Sequence, residues 1–136
     1  MSVTEDYCSF EICKMLKEKW FNEPTETMIY PDNNIVFVDT NSISRIPHQK
    51  LRNSENNIYD NGVCCPTLQV VLKWLRDTHG LVVNIAYIDF LEHGEVWSYE
   101  IIHRDTLEIK DKKYENLHTY EDATGAAIKY CLTNLI

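Results

Sequence analysis

Apolar positions recur along this chain with two different spacings, and the alternation between them outlines the fold. Positions 68, 71, 72, 75 and 79 return every three or four residues, widened by Val70 and Trp74 into the stripe of an amphipathic helix. Pro66 and Thr67 open that helix and Gly80 can close it in a left-handed conformation. Ile12, Cys13, Leu16 and Trp20 make a similar stripe behind a capping Ser9. Ala123, Ala126, Ala127, Tyr130, Cys131 and Leu135 make a third, behind the capping-box pattern Thr119-Tyr-Glu-Asp122. Between the second and third stripes, residues 81–91 are rich in β-branched side chains and apolar on both alternating faces. That pattern predicts a strand, central in its sheet and covered on both sides. Residues 92–95, with Gly94, form a turn to a return strand over 96–104, and 106–110 adds a third strand with Asp111-Lys112-Lys113 as its exposed end. Upstream, 27–30 and 35–39 read as a hairpin around Pro31-Asp32-Asn33-Asn34, a tetrapeptide suited to chain reversal.

The predicted class is α+β. The expected architecture is an antiparallel sheet of about four to five strands with three helices mainly on one face, in the order α-β-β-loop-α-β-β-β-α. With 136 residues, 44% of them apolar, the chain can bury one domain core, so 1–136 reads as a single domain. Residues 40–65 interrupt the pattern: Ile43, Ile46, Leu51, Ile58, Tyr59 and Val63 occur without a period among Asn, Ser, Pro, Asp and Gly. They predict a long irregular loop, with a short helix near 47–53, and residues 1–8 predict a frayed lead-in.

Composition narrows the function classes. The formal net charge of −8 repels phosphate backbones, and the basic residues Arg45, Lys50, Arg52, Lys110, Lys112 and Lys113 form only short groups, so no nucleic-acid binding is expected. No apolar run approaches the length of a membrane span, and the first twenty residues carry charges throughout, so neither a span nor a signal peptide is expected. Five cysteines with no CxxC pair suit free thiols in a reducing, cytoplasmic compartment.

The chemistry-bearing residues do not form a motif. His93 and His103 flank one hairpin with Glu95 and Asp105 nearby, a set chemically able to hold zinc or iron, but without a fixing spacing they read as surface residues. Cys64-Cys65 precedes a helix, whose N-terminal field can lower a thiol pKa, though no base is placed beside it. Glu92, Glu95 and Glu100 are acid/base candidates only if burial raises a pKa. No catalytic, metal or cofactor residue is therefore assigned. The most informative surface is aromatic: Tyr87, Trp97, Tyr99 and His103 share one strand face, and with helices on the other side they would form an exposed interface or ligand platform.

Three segments carry a resemblance. Ser9–Glu23, Pro66–Asp77 and Thr119–Leu135 resemble a group of small uncharacterised proteins from phages, prophages and mobile elements of Bacteroides-type gut bacteria, leaving 40–65 unmatched. Trp20 stands where that group usually has Gly, which would leave the first helix without its stop. The resemblance implies a cytosolic accessory protein and transfers no activity, cofactor or residue role. The expectation is thus a non-enzymatic interaction module, a homodimer or a binder of a host or phage protein. The alternative is a small enzyme or ligand-binding domain with a site between the 40–65 loop and the 81–104 hairpin.

Overall fold

The computed structural model describes residues 6–38, 50–56, 59–92 and 94–136. The class is α+β, as the patterning requires, but the strands are divided between two antiparallel three-stranded sheets instead of sharing one. The chain separates accordingly into two compact units, Met1–Thr67 and Leu68–Ile136.

The first unit begins with α1 (Phe10–Glu18), capped by Ser9, whose Oγ accepts from the Ile12 N–H at 3.3 Å. Residues 7 and 8 are not frayed: Tyr7 bridges to Thr67, the Cys8 N–H donates to the Pro66 carbonyl at 3.1 Å, and Cys8 is buried. The helix also stops without a glycine. Trp20 itself takes the left-handed conformation, φ 68°, the Trp20 N–H donates to Lys17 O at 3.1 Å, and the Phe21 N–H donates to Leu16 O at 2.9 Å. Those two bonds are the paired reverse bonds of a Schellman stop, and Phe21 and Leu16 are both buried, as its hydrophobic contact demands.

The chain then enters β1 (Thr27–Ile29), which pairs with β2 (Ile35–Phe37) across the reversal expected at 31–34. There the Asp32 side chain accepts from the Asn34 N–H at 2.9 Å, and Asn33 turns with φ 65°. Residues 39–49 and 57–58 of the expected irregular loop lie outside the described residues. Its described parts are ordered by pairing, not by the helix expected near 47–53: Leu51 bridges to Thr25, and one 3-10 turn runs Asn53–Glu55. Val63–Cys64 forms β3, which pairs with β1 and places it at the centre of the order β2-β1-β3. Two residues are too few to show a period, which is why this strand was not legible. All three residues of β1 are buried, and the core of the unit is made by Leu16, Phe21, Met28, Ile29, Cys8 and Cys13.

In the second unit α2 (Leu68–His79) buries Leu68, Val71, Trp74 and Leu75. Gly80, at φ 68°, ends it as expected, and its carbonyl accepts from the Arg104 N–H at 2.7 Å. β4 (Leu81–Leu91) and β5 (Gly94–His103) form a long hairpin, irregular between Tyr87 and Asp89. β6 (Ile109–Lys113) completes the order β4-β5-β6. The third strand therefore begins later than expected. Residues 104–108 make the turn, with Leu107 at φ 59° and its N–H bonded to His103 O at 2.9 Å, and Asp111-Lys112-Lys113 belongs to the strand. β4 lies at the edge, not the centre. Its apolar character had suggested cover on both faces, yet Asn84, Ala86 and Ile88 are exposed on one of them. α3 (Tyr120–Tyr130), capped by Thr119 Oγ1 accepting from the Asp122 N–H at 3.0 Å, packs against β4, β5 and α2 and continues as a π-type turn, Cys131–Leu135. Its alanines 123 and 127 are fully buried, consistent with close approach to the sheet.

Candidate functional site

Alternation places Tyr87, Trp97, Tyr99 and His103 on one face of the β4–β5 hairpin, with Tyr87 directly opposite Trp97. That is the helix-covered face. Tyr99 is only 3% exposed and Ile101 beside it is fully buried. The Tyr99 hydroxyl donates to Asp111 Oδ2, and burial, reinforced by that carboxylate, pushes its pKa well up. Cys131 lies close to the same carboxylate, and burial pushes its thiol up to about 12. Tyr99 is therefore a core residue and not part of an open platform.

The other three lie progressively outward. Trp97 is half-buried, edge-on to Tyr87 at 5.3 Å and to Tyr120 at 5.7 Å between ring centres, and its indole N–H donates to Glu95 Oε2 at 3.0 Å. Tyr120, at the start of α3, accepts from the Gln69 amide at 2.7 Å, so the aromatic row is tied to both helices of the unit. Tyr87 closes the row at the sheet margin and is 51% exposed. His103 sits apart, half-buried over Gly80, with Nδ1 accepting from the Asp105 N–H at 3.3 Å. Tyr120 and Gln69 were missed because neither carries a signal of its own in the sequence.

The two edges of this sheet differ sharply. β6 has five residues, of which Lys110, Lys112 and Lys113 are lysines, and Lys112 faces Glu100 at 3.8 Å. β4 has eleven residues with no Lys, Arg, Pro or Gly, and Tyr87 and Ile88 are half-exposed along it. Natural sheets blunt exposed edges with charge, proline, bulges or short length. On β4 the irregularity after Tyr87 and the charged Asp89 are such devices, and both lie toward the far end, leaving 81–87 regular.

The first unit contains two further arrangements. All five cysteines of the chain are buried and free, and Cys8, Cys13 and Cys65 gather beneath α1. The Cys65 thiol donates to Cys8 O at 3.4 Å and the Cys13 thiol approaches the same oxygen at 3.8 Å. A hydrogen bond from Cys13 lowers the Cys65 pKa, while that same bond raises the Cys13 pKa. The lowering at Cys65 thus comes first from a neighbouring thiol. Among the described residues no group of His, Cys, Asp and Glu is arranged to hold a metal ion. His93 lies outside the described residues, so the expected pairing with His103 does not enter that statement.

The second arrangement is a hollow of about 410 Å3 lined by Lys17, Trp20, Phe21, Asn22, Asn53 and Ser54. Its walls are fixed by side chain to backbone bonds. The Asn53 amide donates to Phe21 O at 2.9 Å, the Ser54 N–H donates to Asn22 Oδ1 at 2.9 Å, and Arg52 Nη1 donates to Asn22 O at 2.8 Å. Trp20, 89% exposed as a residue, stands beside it. Sequence reasoning noticed Trp20 as a misplaced helix stop but had no means of bringing 53–54 alongside it.

No family model matches this chain, and no curated protein or solved structure matches it. No helix among the described residues is long and apolar enough to cross a membrane.

Proposed function

We propose that this chain is a non-enzymatic interaction module whose partner is a second copy of itself, joined through the outer edge of β4. The observation that carries this reading is the asymmetry of the second sheet: one short edge defended by three lysines, and one eleven-residue edge with none. Pairing of two β4 strands about a two-fold axis is necessarily antiparallel, and it would extend each three-stranded sheet into one of six. Over 81–88 the strand has no charged residue, so two copies meet without like-charge repulsion, despite a formal net charge of −8 per chain. Half-exposed Tyr87 and Ile88 supply side-chain contact beside the new main-chain bonds.

An accessory role in phage or mobile-element biology, in the cytoplasm, accompanies this proposal. It rests on the resemblance read in the sequence of the three helical segments alone. The test is light scattering over a concentration series, run beside the variant Asn84→Lys/Ala86→Lys. Both positions are exposed, so the fold tolerates them, and lysines on an edge strand oppose its pairing with another strand. Loss of dimer in the variant with unchanged circular dichroism supports the reading. A dimer that survives both lysines would place the interface elsewhere.

A further inference from the structure

We propose that the hollow beside Trp20 is a binding site for a small planar aromatic anion, a flat ring bearing one carboxylate or phosphate. Three independent observations converge on it. The first is the tryptophan itself. A residue with a Cβ in the left-handed region is disfavoured by roughly 1–2 kcal/mol, and glycine, the usual occupant of that helix stop, would avoid it. Trp20 holds φ 68° with 89% of its surface exposed, so neither backbone comfort nor core packing accounts for an indole at this place. A ring presented to solvent on a fixed stop is suited to receiving another ring by offset stacking or edge contact.

The second observation is the space. At about 410 Å3 the hollow lies within the usual range for small-molecule sites, and it is bordered by apolar surface from Trp20 and Phe21 with a few polar groups. Hydrogen bonds from 52–54 to Phe21 and Asn22 already hold its walls in place, so a ligand meets a formed site with little ordering to supply.

The third is charge. Lys17 lines the hollow one turn before Trp20 and makes no ion pair among the described residues, whereas Arg52 nearby is engaged by Glu55 at 3.8 Å. An unpaired ammonium beside an aromatic wall selects an anion. It distinguishes this site from a neutral sugar platform, which would use the same indole without the cation. Ser54, also in the lining, brings a hydroxyl that can donate.

The experiment titrates the full chain with 1-naphthoate, adenosine 5′-monophosphate and cellobiose, read by tryptophan fluorescence and by calorimetry. Trp20 is far more exposed than Trp74, which is 7% exposed, so its emission is the one a ligand here would move. Saturable binding of naphthoate, the monophosphate or both, at up to millimolar concentration, is the expected result, and which of the two binds identifies the carboxylate or phosphate source. Trp20→Gly, which favours the turn and cannot fail for want of a stop, should abolish binding. Lys17→Met should weaken it about tenfold and remove its salt dependence. Binding of cellobiose alone, binding unchanged in Trp20→Gly, or no binding by any of the three would overturn the proposal.

Discussion

In the Met1–Thr67 unit the indole of Trp20 stands 89% exposed on a backbone conformation that disfavours it, whereas in the Leu68–Ile136 unit Trp97 is held edge-on between Tyr87 and Tyr120, with its N–H bonded to Glu95. One tryptophan is placed by local strain and left unpacked; the other is placed by packing. The contrast separates two kinds of exposure. An aromatic whose position is explained by its neighbours says little about a ligand, and Trp97 and Tyr99 fall in that group. The exposure that matters in the second unit follows the backbone of β4, which suits a strand from another chain. In the first unit Trp20 stands beside a hollow, which suits a small molecule, while Ile35 and Phe37 are exposed separately on β2.

The largest expected effects test whether each core is what holds its unit. Ile101→Ala and Leu16→Ala each remove a fully buried branched side chain, and each should cost about 2–5 kcal/mol in urea unfolding. A loss below about 1 kcal/mol at either position would mean that its core is looser than its packing indicates. Tyr99→Phe should follow, at about 1–3 kcal/mol, because it leaves the Asp111 carboxylate without its hydroxyl donor. Tyr87→Phe, at the exposed end of the same face, should change stability by less than about 0.5 kcal/mol. Equal losses from the two would erase the distinction between core and margin.

Trp20→Gly should act in the opposite direction, raising stability by about 1 kcal/mol as the left-handed stop is relieved. A loss of stability there would show that the ring has a packing role after all. The remaining effects depend on pH. Burial raises the Cys131 thiol from about 9 to about 12, so the unfolded chain ionises first and stability present below about pH 9 is lost as pH rises toward 12. Cys131→Val should flatten that alkaline limb. His79 has its pKa lowered by burial, with Nε2 sealed from solvent and lacking a partner among the described residues. The unfolded chain then binds the proton more tightly, and stability should decline as pH falls below about 6.5. His79→Phe should remove this acid limb; a limb that persists in both variants would assign the titrations elsewhere.

Much of the fold was legible because it rests on local signals. Ser9 and Thr119 cap the helices they were expected to cap, Gly80 ends α2, and the 31–34 reversal joins β1 to β2. The division into two sheets was not legible, since it depends on β3, whose two residues find β1 across more than thirty positions. The edge position of β4 was misread for a related reason. A strand apolar on both faces is usually central, and no local pattern distinguishes an interior strand from one at the edge of its sheet. The candidate site residues were a mixture: Tyr87 lies at the exposed margin, Tyr99 is core, and His103 stands apart over Gly80. The Trp20 hollow required long-range bonds from Arg52, Asn53 and Ser54 that no spacing in the sequence encodes.

The most direct test of the β4 proposal is the solution mass of the chain by light scattering across a concentration series, with and without Asn84→Lys/Ala86→Lys. Self-association through β4 predicts a rise toward twice the 16.0 kDa of one chain, abolished by the two lysines. A mass that stays at one chain at the highest concentration, or a dimer indifferent to both lysines, would contradict it.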